Sequence, residues 1–254
     1  MKVQVSVVVL PLVLVLLIGY VPHAAAGASA VAQNDSGYVE ATMSWYHVVG
    51  EVKNTGDVWL RWVKVTATLF DSGRGIVDVV FDLTETMYIP PDGVSPFDIS
   101  EIDTAKSGRV ASYTLVVEFQ ETQTVPVQSL AISNVADSID PVMGWKEVVG
   151  QVTNQGPSVS HFTKIVATFY DANDKVAYVG FDIATPHDLQ PSAIGTFKIQ
   201  VIETSKVPQI TRYSLIAESQ SSGYTSVPEW PSPMLVAGIV LSLAVIVIRR
   251  KRWP

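Results

Sequence analysis

The sequence predicts an all-β chain: two tandem β-sandwiches between two hydrophobic ends. Three observations carry this prediction. The middle of the chain repeats itself at an offset of 100 residues, its strands alternate apolar and polar residues, and its turn residues recur at short spacing. Trp45 to Gly56 reads WYHVVGEVKNTG, and Trp145 to Gly156 reads WKEVVGQVTNQG. The match continues without insertion to Glu118 and Glu218, with 23 identities in 74 positions, so both copies share one fold. Each copy, at roughly 95 residues, is long enough to bury a core of its own.

Within each copy the pattern is that of strands. Val63, Val65, Ala67 and Leu69 alternate with Lys64, Thr66 and Thr68, and the second copy repeats this with Ile165, Ala167 and Phe169. A period of two places one set against a core and the other outside. Turn signals punctuate the runs: Asn54-Thr-Gly56, Asp71-Ser-Gly-Arg-Gly75 and Pro90-Pro-Asp-Gly93, then Asn154-Gln-Gly156 and Asp171-Ala-Asn-Asp174. Asp71 and Asp171 are expected to start hairpins, their carboxylates capping the turn. Trp45 and Trp145 are expected as core anchors.

The elements follow in order. Residues 1–26 read as a signal peptide, with Lys2, an apolar stretch from Val3 to Ile18 and small residues at Ala24 and Ala26. An uncleaved anchor is the alternative. Residues 31–121 and 129–219 form the two sandwich repeats, and a short linker, 122–128, places them end to end. Residues 220–233 are a stalk, and 234–248 form an uncharged apolar helix. At about 1.5 Å per residue that helix covers about 22 Å of a hydrocarbon core about 30 Å thick. Arg249, Arg250, Lys251 and Arg252, within the basic tail 249–254, orient the C-terminus toward the cytoplasm. The membrane is therefore the first expected partner, through this C-terminal transmembrane helix.

Charge narrows the function classes. Between the hydrophobic ends, 12 Lys and Arg stand against 24 Asp and Glu, a net charge near −12. This excess opposes phosphate-backbone contacts, so no nucleic-acid partner is expected. The chain has no cysteine, so its cores must hold without disulfides and a copper–thiolate site is ruled out. His47, His161 and His187 have Glu147, Arg61 and Met87 as counterparts, so no histidine site is duplicated. No metal-protease, nucleophile-elbow or phosphate-loop motif occurs, and neither a catalytic residue nor a cofactor is predicted. Asp82 and Asp182 follow Phe in both copies and suggest an Asx-type turn.

Two surface features remain. Trp59-Leu60-Arg61-Trp62 stands where the second copy has Val159-Ser160-His161-Phe162. Adjacent strand residues face opposite ways, so Trp59 and Leu60 cannot both be core. Trp59 and Trp62 are candidate contacts for a protein partner or glycan, the alternative being that Trp59 closes the sandwich edge. Asn34-Asp35-Ser36 makes Asn34 a candidate N-glycan acceptor.

The order VVGEVKN, ATLFD, PPDGVSPF, YTLVVE resembles the FxLYD-type domain of bacterial and archaeal extracytoplasmic proteins, with Ala67 and Ala167 where the family name has Phe. The resemblance covers both copies and implies immunoglobulin-like sandwiches with no catalytic residues. Pro228-Glu229-Trp230-Pro231, followed by the apolar run and the basic cluster, resembles PEF-type archaeal sorting signals, with Trp230 where Phe is usual. That resemblance implies a sortase-like processing enzyme as a partner; a lasting single-span anchor is the alternative. The combined expectation is a non-enzymatic cell-surface protein, structural or adhesive, meeting envelope proteins or glycans outside the membrane. An extracytoplasmic ligand-binding or accessory module of a membrane complex is the second expectation.

Overall fold

The computed structural model describes residues 27–123 and 129–219. The apolar runs at both ends, the stalk, the Pro228–Pro231 motif and the basic tail lie outside the described residues. So does most of the linker. Among the described residues no helix is long and apolar enough to cross a membrane.

The chain is all-β. The first copy contributes β1 (Ala30–Val39), β2 (Tyr46–Asn54), β3 (Trp59–Phe70), β4 (Ile76–Leu83), β5 (Tyr88–Ile89), β6 (Val94–Glu101) and β7 (Ser112–Thr122). The second contributes β8 (Leu130–Ile139), β9 (Lys146–Asn154), β10 (Lys164–Tyr170), β11 (Val176–Ile183), β12 (Ile194–Val201) and β13 (Arg212–Glu218). Among the described residues helical structure is confined to one turn at Thr104–Ser107 and a 3-10 turn at Val207–Gln209. In the first copy a sheet ordered β1-β2-β6 faces a second sheet in which β3 pairs with β4, β5 and β7. The second copy repeats this with β8-β9-β12 and β11-β10-β13. All the strand pairs are antiparallel.

Each copy has a core between its sheets, filled by the residues the alternation points to. Val48, Val52 and Phe97 from one sheet meet Val65, Ala67 and Leu69 from the other. Val148, Val152 and Phe197 meet Ile165, Ala167 and Phe169 in the second copy. The glycine of the VVG motif follows from this packing. A Cβ on Gly50 or Gly150 would stand 2.5 Å from the ring of Phe97 or Phe197, so only glycine lets the ring cross the strand.

The repeated asparagine is equally constrained. Asn54 is fully buried; its Nδ2 donates to the carbonyls of Val58 (2.8 Å) and Ile89 (3.0 Å), and its Oδ1 accepts from the Gly56 amide (3.0 Å). Asn154 makes the same three bonds with Ser158, Leu189 and Gly156. One amide thus ties three backbone groups of a buried turn together. Asp71 caps its hairpin as expected, Oδ1 accepting from the amides of Gly73 and Gly75; Asp171 does the same for Asn173 and Lys175.

Two expectations fail. Trp45 and Trp145 are only half-buried and belong to neither core cluster; they close the β1–β2 and β8–β9 hairpins, their carbonyls accepting from the amides of Glu40 and Asp140. The core position goes to the next residue in the first copy, Tyr46. Nor do the copies sit end to end. They lie face against face, because Val49 on the outer side of β2 packs with Val166, Tyr170, Val176 and Val179 in a third buried cluster.

Asn54→Ala removes three hydrogen bonds from this buried turn and should cost about 2–4 kcal/mol of stability. Asn154→Ala should cost a similar amount, and a surface control such as Asn173→Ala should cost less than about 1 kcal/mol. Denaturant unfolding of the three variants checks the ranking.

Candidate functional site: a polar seam between the two copies

The third cluster arises where the outer face of β1-β2-β6 meets the outer face of β11-β10-β13. The burial of β10 shows the consequence. Ile165, Ala167 and Phe169 point into their own core, yet Val166, Thr168 and Tyr170 on the opposite face are buried too. In β3, the counterpart strand, Lys64, Thr66, Thr68 and Phe70 remain partly open.

Polar groups ring the apolar centre and fix its register. The Tyr170 hydroxyl donates to Glu51 Oε1, and the Asn34 Nδ2 donates to Glu51 Oε2 at 3.1 Å. Glu51, almost wholly buried, is thereby supplied with donors from both copies. Ser36 Oγ donates to the Val176 carbonyl, and the Ala41 amide donates to Glu203 at 2.8 Å. At the opposite edge, Lys164 Nζ lies 2.6 Å from a Glu85 carboxylate oxygen and 3.0 Å from its carbonyl. Glu218 closes that edge, its carboxylate accepting from the amides of Met87 (2.8 Å) and Tyr88 (3.3 Å). A buried acceptor that loses one of these donors carries the full desolvation cost, so each pin opposes separation of the copies.

Titratable groups in the seam are displaced from their ordinary behaviour. Burial pushes the Glu218 carboxyl up to about 7, against the lowering effect of the Met87 and Tyr88 amides. Burial raises the Tyr178 hydroxyl to about 12, with help from the Asp98 charge. Tyr38 is raised further by the same two causes. Lys206, lying 4.0 Å over the Tyr38 ring, is lowered by burial. For His47, burial disfavours the cation, but Asp98 at 2.8 Å and Glu40 at 3.8 Å outweigh it and raise the imidazole above its usual value. His47 also stacks on Tyr38 at 5.1 Å. Its Nδ1 also lies 3.2 Å from the Ser100 hydroxyl.

The predicted site residues divide around this seam. Trp59 is half-buried in β3, opposite Thr122 of β7. Trp62 is half-buried at a β-bulge with φ of 50°. With Glu85, Met87 and Glu218 it lines a recess of about 140 Å³ at the seam's edge. The exposed aromatic at this position is its counterpart, Phe162, which stacks on His187 at 5.0 Å. His187 and His161 both contact Asp188, at 2.8 and 3.0 Å, and their hydrogen bonds hold its carboxyl well below the usual range. Asn34 occupies a left-handed bulge, φ 54°, and its Nδ2, the atom a glycan would join, is the one that bonds Glu51. Asn134 repeats the geometry with Gln151 at 2.6 Å. Asp82 and Asp182 each accept from the following amide, and Asp182 also accepts from Lys198 N at 2.7 Å, tying β11 to β12.

A second, more open groove of about 340 Å³ runs between the β1 and β7 edges, where the Tyr113 hydroxyl donates to Asp35 at 2.6 Å. Among the described residues no group of three or more acidic, histidine or cysteine side chains is placed to hold a metal ion.

No known protein family and no curated protein sequence matches the chain. Solved structures similar to it include red sea bream transglutaminase, at 11% identity and a TM-score of 0.25, with 74% of this chain and 29% of that one covered. Another is the exo-chitosanase CsxA of Amycolatopsis orientalis, at 7% identity and a TM-score of 0.27, with 73% and 25% covered. The chain thus spans less than a third of either enzyme, and likeness at this level transfers no activity.

Glu218 gives the seam a pH dependence of definite sign. Its folded-state pKa is raised from 4.5 to about 7, so its stabilising contribution is fully present below 4.5 and is lost as pH rises through 7. Glu218→Gln removes this titration. The stability difference between the native chain and the variant should therefore change by roughly 2–3 kcal/mol between pH 4.5 and pH 8. Denaturant unfolding at several pH values reads it; parallel pH profiles would contradict the assignment.

Proposed function

We propose that the chain is a non-enzymatic cell-surface protein, structural or adhesive, whose two immunoglobulin-like sandwiches are displayed outside a membrane as one stiff unit. The observation that carries this reading is the seam. The buried Glu51, Tyr170 and Glu218 and the half-buried Lys164 and Glu85 join the copies. Their hydrogen bonds run from one copy to the other.

The ends supply the rest of the proposal. Residues 1–26 export the chain, and 220–233 raise the sandwiches above the membrane on a proline-containing stalk. Residues 234–248, with Arg249 to Arg252, hold it there, either as a single span or as a tail removed at Pro228-Glu229-Trp230-Pro231 by a sortase-like enzyme. Partners are envelope proteins or glycans, met through the half-buried Trp59 and Trp62 surface. A glycan on Asn34 would have to displace the bond to Glu51.

Labelling of intact cells with a membrane-impermeant amine reagent should modify lysines of the two copies; labelling only after lysis would overturn the proposal. Intact mass of the mature chain should lack residues 1–26. A mass that retains Arg249 to Pro254 would sink tail processing and leave the single-span anchor. Trp59→Ala and Trp62→Ala should each weaken envelope binding about tenfold or more if these rings are the contact, without loss of fold.

A further inference from the structure

The seam is heterologous: the β1-β2-β6 face of the first copy meets the β11-β10-β13 face of the second. Each copy therefore leaves one of these two surfaces unused, β4-β3-β7 on the first and β8-β9-β12 on the second. A heterologous contact between equivalent units does not close on itself, and when repeated it extends. We propose that the open β4-β3-β7 face of one chain docks the open β8-β9-β12 face of a second copy, in the manner of the internal seam, giving head-to-tail oligomers.

Comparison of counterpart residues supports this occupant. Val176 and Val179 are 0% and 6% exposed beneath the first copy, whereas Ile76 and Val79, which hold the same places on β4, are 64% and 52% exposed. Val116, opposite Thr66 on β7, extends the same face and is also exposed. Contiguous apolar exposure on a sheet face marks an interaction surface. On the complementary side, Val149 is 39% exposed where its counterpart Val49 is wholly buried in the seam.

The periphery matches as well. At the β1–β2 hairpin the Ala41 amide is held by Glu203, next to Ile202. The same placement one unit on brings the hairpin tip of Val142 and Met143, both exposed, beside Ile102, also exposed. Asp98 acts on Tyr178 across the seam, and their counterparts Lys198 and Asp78 carry opposite charges. Each of these now pairs within its own copy, with Glu147 and Lys106. The pins at Glu51, Tyr170 and Ala41 do not recur: Glu51 and Tyr170 become Gln151 and Phe70, and Pro141 has no amide hydrogen where Ala41 donates. The contact between chains is therefore weaker than the seam, which also has the advantage of a covalent link. It is independent of where the chain is held, so it stands apart from the proposed surface role.

Sedimentation of the full chain in detergent, with V79D and V149D alone and mixed, tests the proposal. The native chain should form a concentration-dependent series through dimer and trimer to larger species. Each variant alone should be monomeric at concentrations where the native chain associates. An equimolar mixture should give a 1:1 dimer and nothing larger, because one intact face of each kind remains. Both positions are exposed, and unchanged unfolding midpoints confirm that the variants fold. A native chain that is monomeric up to about 1 mM, or that stops at a dimer, overturns the proposal. So does association that V149D leaves intact, or a variant mixture that stays monomeric.

Discussion

The contact of Val49 with Val166, Val176 and Val179 is the constraint on which the arrangement of this chain depends. Each copy already has its own core, so neither needs the other to bury its principal apolar surface. The seam does something different. It covers the outer side of two sheets, turns β10 into a strand buried on both faces and gives Glu51 and Glu218 donors from the other copy. Two small all-β units joined by a short linker would otherwise be free to rearrange, since limited contact between domains permits motion. Here the buried polar pins make partial separation costly, because each half-open state strands a desolvated carboxylate.

This geometry links composition to function. An excess of acidic residues and an absence of cysteine suit a chain that relies on packed cores and solvated faces. The repeat provides two similar units, and substitutions on opposite faces have made them complementary to one another. On the second copy Val166 and Tyr170 replace Thr66 and Phe70, adding apolar area and a hydroxyl where the first copy must dock. On the first, Tyr38 and His47 stand in place of Ser138 and Glu147, providing the stacked pair over which Lys206 lies.

The period-two pattern of Val63 to Leu69 and its counterpart was sufficient to place the core strands, because one buried face leaves a direct mark on sequence. The Asp71 and Asp171 turns were legible for a similar reason: a carboxylate preceding small or polar residues has a local bonding solution. The seam was not legible. Its partners lie 131 residues apart at Glu218 and Met87 and 119 apart at Tyr170 and Glu51, so no local spacing reports them. One signal was available in the second copy, where Val166 interrupts the polar positions of the strand and implies burial on both sides. Trp45 and Trp145 misled because a large apolar ring next to a strand fits a hairpin end as well as a core. Trp62 and Asn34 were visible as candidates, but their positive φ values and seam positions depend on bulges that the sequence does not mark.

The central claim is that the two copies form one body through face-to-face contact. The chain contains no cysteine, so paired spin labels can be introduced cleanly at Ser72, on the β3–β4 turn, and Asn173, on the β10–β11 turn. Pulsed electron resonance should then return a single narrow distance distribution, and Val49→Asp should broaden it. A broad distribution in the otherwise native chain would contradict a fixed seam and return the copies to independent units on a short tether.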